Sequence, residues 1–351
     1  MAKLAVIGPG LIGSKHISCI EKNPLADLVA VVSPSFSPSK GGSVIASRRP
    51  YFRSVEELVD SELKFDAALI CSPTQNHFEH TLALKERTEY IFIEKPVFQS
   101  KEEGEAFLKL DSSFRKKILV GHHRRHSEKF SHLEELVTSG ILGDVQCYSG
   151  HICFYKPDSY FQDADWRISK GGGPLYINFI HEIDIVRKLF GDIIQVSAFA
   201  SGIFPFDSEV ENTLVANIQH SSGVLGSFVV SDRVHSKMNW ERCVGEDSAF
   251  PHDGDDYLHI LGSSGSLNFP SFQLLNGFGS DWKAPLETST VSREGLSGTD
   301  PLGRQLEHLI NLCHGVDTLP VVSVDEAIKN LVVCEAIYDS LKSSGLPVRP
   351  Q

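Results

Sequence analysis

Short, almost unbroken apolar runs alternate with longer amphipathic stretches through the first third of the chain. The runs at 4–7, 28–32, 67–71, 91–93 and 118–120 are rich in Val, Ile, Leu and Ala. Between them, 12–22, 55–61, 77–87 and 101–112 carry helical spacing. Strands apolar on both faces and separated by helices predict a parallel sheet covered on both sides. After about residue 122 the texture changes. A helix is predicted over 128–139, a loop over 165–173 and a helix over 175–190. From 193 to 275, runs at 195–201, 213–220, 224–231, 257–262 and 266–269 are separated by turn signals such as Ser221-Ser222-Gly223. These predict an antiparallel meander. Two helices, 301–313 and 324–343, close the chain; Asp325 and Glu326 suit the start of the last one and Gly345 its stop. The fold class is therefore α/β. An N-terminal Rossmann domain with a doubly wound parallel sheet, residues 1–122, precedes an α+β domain with an open, mainly antiparallel sheet, residues 123–351.

Composition narrows the function classes. The 351 residues have an ordinary apolar share and a net charge of −12. Nucleic acid is a poor partner for such a surface, since phosphate backbones need a basic face. No apolar run approaches the ~20 residues that span a bilayer, and no leader pattern precedes the first strand. The seven cysteines are dispersed, with no CxxC pair. This predicts free thiols in a cytoplasmic protein, and neither a disulfide framework nor a zinc site.

The candidate chemistry begins at Gly8-Pro9-Gly10-Leu11-Ile12-Gly13, a GxGxxG between a strand and a helix. In that context the first glycine makes the tight turn, the second admits a pyrophosphate and the third lets helix pack on strand. The helix N-terminus then faces the anion. At about 20 residues beyond Gly13, where NAD-preferring folds carry an acid, stands Ser33. Ser35, Ser37, Ser39 and Lys40 follow. Hydroxyls and a lysine suit a 2′-phosphate, so NADP is the expected cofactor, with NAD as the alternative.

Glu94-Lys95-Pro96 ends the strand at 91–93, on the edge where a nicotinamide would lie. A lysine there can hydrogen-bond a substrate oxygen or transfer a proton; equally, it can pair with a carboxylate to cap the strand. Gly171-Gly172-Gly173 opens a helix on which Asn178, His181 and Asp184 are three apart. His181 can shuttle a proton near neutral pH, or it can be a satisfied core histidine. His122 to His126 reads as a cleft-lining cluster. As adjacent strand residues, His122 and His123 would point apart and not share a metal.

These segments, together with His16, Cys71-Ser72-Pro73-Thr74-Gln75-Asn76-His77 and Trp166-Arg167, occur in an order that resembles the glucose–fructose oxidoreductase / inositol dehydrogenase (Gfo/Idh/MocA) family over nearly the whole chain. The resemblance implies a nicotinamide-dependent oxidoreductase with Lys95 and His181 as the catalytic pair. It implies that Ser72, Pro73, Thr74, Asn76 and His77, with Glu94 and Lys95, line the nicotinamide-ribose side. Gly8, Gly10, Leu11, Ile12, Gly13, Ser33, Ser35 and Lys40 complete the expected cofactor site. His123, Arg124, Trp166, Arg167 and Asn178 are expected to border a polyhydroxylated small-molecule substrate. No metal is expected. The resemblance also implies a homodimer or homotetramer built on the second domain's sheet. One position departs from the family pattern: Ile177 stands four residues before His181, where many members carry Asp. A dinucleotide-binding sensor without turnover is the alternative that this departure leaves open.

Overall fold

Each apolar run of the first third is a strand. In the computed structural model, which describes residues 1–34, 49–169, 171–203, 210–277, 282–291, 296 and 300–351, β1 (Ala2–Ile7), β2 (Ala26–Val32), β3 (Tyr51–Phe52), β4 (Ala67–Ile70), β5 (Tyr90–Ile93) and β6 (Ile118–Val120) form one sheet in the order β3-β2-β1-β4-β5-β6. Every neighbouring pair is parallel. The order reverses between β1 and β4, the switch point at which doubly wound sheets bind ligands. β3 is two residues long, too short for periodicity to reveal.

Helix Leu11–Lys22 lays Ile17 and Ile20 on the sheet. Ser54 and Ser100 each accept an N–H from three residues on and so start helices Val55–Asp60 and Lys101–Leu108. The single helix expected over 101–112 is interrupted. Asp111 caps a new short helix, Ser112–Arg115, by accepting from Ser113 N–H.

The chain forms two compact units, residues 1–126 with 301–331, and residues 127–300 with 332–351. One cut at 122/123 does not describe this. Helix Pro301–Cys313 returns to the first unit because Leu306, Leu309, Ile310 and Leu312 share a core with Leu4, Val6, Leu28, Leu69 and Phe92.

The second unit is built on β7 (Val145–Cys153), β8 (Ile193–Ile203), β9 (Glu211–His220), β10 (Leu225–Ser231), β11 (Leu258–Gly262), β12 (Gly265–Phe269), β13 (Gln273–Gly277) and β14 (Leu286–Thr290), in the order β14-β13-β12-β11-β7-β10-β9-β8. The simple meander is corrected here: β7, whose mixed polarity hid it, inserts at the centre and runs parallel to β10. The other pairs are antiparallel. In the parallel pair Gly150 lies opposite Phe228, and Gly226 opposite Tyr148. Each ring covers the neighbouring strand's glycine. Tyr148 in turn stacks on Phe190 at 5.0 Å. A Cβ at Gly150 would lie 2.2 Å from Phe228 Cε1, and one at Gly226 2.0 Å from Tyr148 Cζ. Gly150→Ala should therefore cost about 1–3 kcal/mol of stability by overpacking. Urea unfolding checks this, and an unchanged midpoint would contradict the packing account.

Candidate active site

The glycine loop sits at the β1/β4 switch. Gly8 has φ +85°, a conformation costly to other residues, and its N–H donates to Val32 carbonyl at 2.8 Å. A Cβ there would lie 2.7 Å from Ser72 Cα, and one at Gly13 would lie 2.1 Å from Gly8 carbonyl oxygen. A Cβ at Gly10 meets no atom within 4 Å. The first and third glycines are thus packed, while the second faces open space. Gly10 is also the N-cap of helix Leu11–Lys22; it supplies no side-chain cap, and the first turn has no acid. Uncapped N–H groups facing open space suit an anion. Leu11 is exposed and Ile12 half-buried beside them. Ser33 is buried at the end of β2 and its N–H donates to Phe52 carbonyl. Ser35 and Lys40 lie outside the described residues.

The loop after β4, Ser72 to Asn76, is tied down by His77. The buried ring places Nε2 2.9 Å from Ser72 carbonyl and Nδ1 3.0 and 3.2 Å from those of Pro96 and Val97. Burial pushes the ring below its ordinary pKa, against the three carbonyls and Glu94, which favour its charged form. His77 therefore staples the loop after β4 to the one after β5. Ser72 Oγ, half-buried, meets His80 Nδ1 at 3.0 Å.

Glu94 is likewise turned inward. Its carboxylate accepts from His16 Nε2 at 2.8 Å and from Lys95 N–H at 3.1 Å. His16 packs edge-on against Phe92. A Cβ on Gly121 would come within 2.9 Å of that carboxylate. Burial raises the Glu94 pKa, but the His16 bond and the Lys95 charge outweigh it and hold the carboxyl below its ordinary value. The pair fixes the backbone at Lys95, on the C-terminal edge of β5. The Lys95 ammonium also bears on His123, whose pKa falls well below the usual value, first by burial and then by the Arg124 and Lys95 charges. Residues His123–His126 form a 3₁₀ turn, not a strand, so strand alternation does not set their directions. Arg124 is buried. His122 accepts from Asn330 Nδ2 at 3.4 Å.

In the second unit a Cβ at Gly172 would lie 2.5 Å from Trp166 carbonyl oxygen, so the glycine run packs under the turn Asp165–Arg167. Trp166 is exposed, and the Arg167 guanidinium lies 4.0 Å over the Tyr160 ring. The helix expected over 175–190 begins as a π-turn, Leu175–Phe179, and continues as α-helix Ile180–Phe190. The wider turn breaks the even spacing assumed for Asn178, His181 and Asp184. His181 and Asp184 are buried; Asn178 is half-buried and accepts from Lys156 Nζ at 2.6 Å. Glu211 accepts Leu175 N–H at 3.0 Å, and burial pushes its pKa up to about 7, with Asp232 adding to the shift. Lys156, Glu211 and Asp232 escaped the sequence reading. Only charged residues at strand ends signalled them, and β7 was not recognised as a strand.

A family model described as "Oxidoreductase family, NAD-binding Rossmann fold" matches residues 2–122, and the "GFO/IDH/MocA C-terminal domain" model matches residues 130–268. The chain belongs to the GFO/IDH/MocA oxidoreductase family. Similar proteins include an inositol 2-dehydrogenase of Rhizobium meliloti, 26% identical over 57% of this chain and 58% of that protein, and a scyllo-inositol 2-dehydrogenase (NADP(+)) of Bacillus subtilis, 27% identical over 54% and 52%. The matched stretch thus spans little more than half of each relative's length. A solved structure of similar fold, scyllo-inositol dehydrogenase from Lactobacillus casei with bound NAD(H) and scyllo-inositol, superposes with a TM-score of 0.77 at 17% identity, covering 99% of both chains.

The two kinds of glycine separate experimentally. Gly10→Ala should leave stability within about 0.5 kcal/mol and weaken nicotinamide dinucleotide binding at least tenfold. Gly13→Ala should destabilise the fold outright. Denaturant titration and cofactor fluorescence check both, and intact binding in Gly10→Ala would refute the assignment of the open space to a pyrophosphate.

Proposed function

We propose that the protein is an NAD(P)-dependent dehydrogenase/reductase. It transfers a hydride between the nicotinamide and a secondary alcohol or ketone carbon of a sugar, cyclitol or related polyhydroxylated compound. The observation that carries this reading is the uncapped helix N-terminus at the open Gly10, on the same sheet edge to which Glu94 and His16 anchor Lys95.

Gly8, Gly10, Leu11, Ile12 and Gly13 hold the pyrophosphate. Ser33, with Ser35 and Lys40, faces the adenosine ribose and favours NADP over NAD. Ser72, Pro73, Thr74 and Asn76 line the other ribose, with His77 and Glu94 holding the backbone behind them. The nicotinamide, when bound, accepts or returns the hydride. Lys95 and His181 are the acid/base pair. During oxidation one of them takes the hydroxyl proton as the hydride leaves carbon; during reduction the same group returns it to the oxygen. The Lys95 charge stabilises the oxygen while it is negative. His123, Arg124, Trp166, Arg167 and Asn178 surround the substrate, with Asn178 binding rather than relaying a proton.

Lys95→Ala and His181→Ala should each lower kcat by about 10²–10⁴-fold and leave nucleotide affinity within about threefold. Absorbance of the reduced nicotinamide over a panel of sugars and cyclitols reads this out, and wild-type rates in both variants would sink the proposal. Ile177, in place of an acid, favours a second reading, a dinucleotide sensor. Cofactor binding without turnover of any panel member would select it.

No disulfide joins the seven cysteines, all of which lie among the described residues, and this fits a reducing compartment such as the cytoplasm. No helix among the described residues is long and apolar enough to cross a membrane. The second unit's sheet exposes Phe199 directly opposite Val215, and Leu225 nearby on β10. Exposed apolar sheet surface of this kind suits association, here into a homodimer or homotetramer. A monomer by sedimentation would refute that.

A further inference from the structure

β7 and β10 run parallel and stay in register to their ends, Cys153 opposite Ser231. The pairing continues past the strands. Phe154 N–H donates to Ser231 carbonyl at 2.8 Å, and Lys156 N–H to Asp232 carbonyl at 2.9 Å. Lys156 and Asp232 therefore leave the sheet together at one end. Lys156 Nζ lies 2.7 Å from Asp232 Oδ1 and 2.6 Å from Asn178 Oδ1. Asp232 is fully buried, and the Lys156 side chain is 13% exposed.

An ammonium has three donors and no acceptor. It therefore requires the amide oxygen of Asn178, and this turns the Asn178 NH₂ away from Lys156. The Asn178 side chain makes no other hydrogen bond among the described residues. The outcome is a side chain locked as a donor toward whatever lies beyond it. An Asp at this point would instead present an acceptor.

Arg167 adds to the same neighbourhood. Its guanidinium and the Lys156 ammonium lie 4.0 and 5.2 Å from the centre of one ring, Tyr160. Arg167 Nε is buried with no hydrogen-bond partner among the described residues. Arg233 is nearby, bound to Asp158 and to Lys156 carbonyl. Three cationic side chains, Lys156, Arg167 and Arg233, thus stand among three carboxyls, Asp232, Asp158 and Glu211, and Glu211 is the one that burial pushes toward its neutral form. Two cationic side chains on one ring, beside an amide whose NH₂ is held away from Lys156, are the chemistry that recognises an anionic oxygen.

We propose that Lys156, Arg167 and Asn178 form a subsite for a carboxylate on the substrate, with Asp232 fixing the Lys156 ammonium. The inference rests on the hydride-transfer reading above and narrows its substrate to polyhydroxylated acids, such as sugar acids, over neutral sugars and cyclitols.

The test uses the full chain saturated with oxidised nicotinamide dinucleotide. Calorimetry compares D-glucuronate with D-glucose and D-galacturonate with D-galactose. In the wild type each acid should bind at least tenfold tighter than its sugar. Asn178→Asp still accepts from Lys156 but turns an oxygen outward, so the acid-over-sugar ratio should fall at least tenfold. Asp232→Asn keeps an acceptor and removes the neutralising charge, so the ratio should rise severalfold, which general loosening of the fold would not produce. Equal affinities for acid and sugar in the wild type overturn the proposal, as does an unmoved ratio in Asn178→Asp. Turnover is followed separately at the nicotinamide band. Acid preference without hydride transfer would leave the subsite standing and defeat the dehydrogenase reading; turnover without acid preference would do the reverse.

Discussion

The buried contact between Glu94 and His16 governs the first unit's candidate site. One partner comes from the end of β5, the other from the helix behind the glycine loop. A buried carboxylate without a partner costs several kcal/mol, so the two segments hold each other in place. Glu94 spends its second oxygen on Lys95 N–H, and Gly121 leaves room for the carboxylate from the β6 side. His77 does the equivalent work with carbonyls, joining the turn after β4 to the turn after β5. Loops that would need to meet a dinucleotide are thus positioned by buried polar groups.

This explains which parts were legible in the sequence. The parallel sheet was readable because its strands are buried on both faces and therefore nearly all apolar. The glycine loop was readable because Gly8 and Gly13 are compelled by backbone contacts. Glu94 and His77 were also visible as motif residues, yet their inward direction was not. Direction depends on what lies across the sheet, and nothing local in Glu94-Lys95-Pro96 points to His16, 78 residues away. β7 was invisible for a related reason. Its neighbours supply rings over its glycine, so its own side chains need not alternate cleanly.

At one end of the second unit's sheet, polar side chains from several elements meet around Ile177, an apolar residue four positions before His181. The π-turn brings Asn178 to Lys156, and Asp232 balances the ammonium. Glu211 adds a buried carboxyl at the head of the same turn, with its pKa near neutrality. The polar groups at this end of the sheet come from several elements distant in sequence, which is why no single motif announced them.

Helix Pro301–Cys313 has a consequence for how the protein is made. The Rossmann sheet is encoded by the first 120 residues, yet part of its core, Leu306 to Leu312, comes near the end of the chain. During synthesis the nascent sheet must wait, with an apolar strip unfilled, while the whole of the intervening second sheet is translated. The order in which residues emerge is therefore not the order in which the units can be completed, and the interval between them is when exposed apolar surface makes the chain most vulnerable to aggregation.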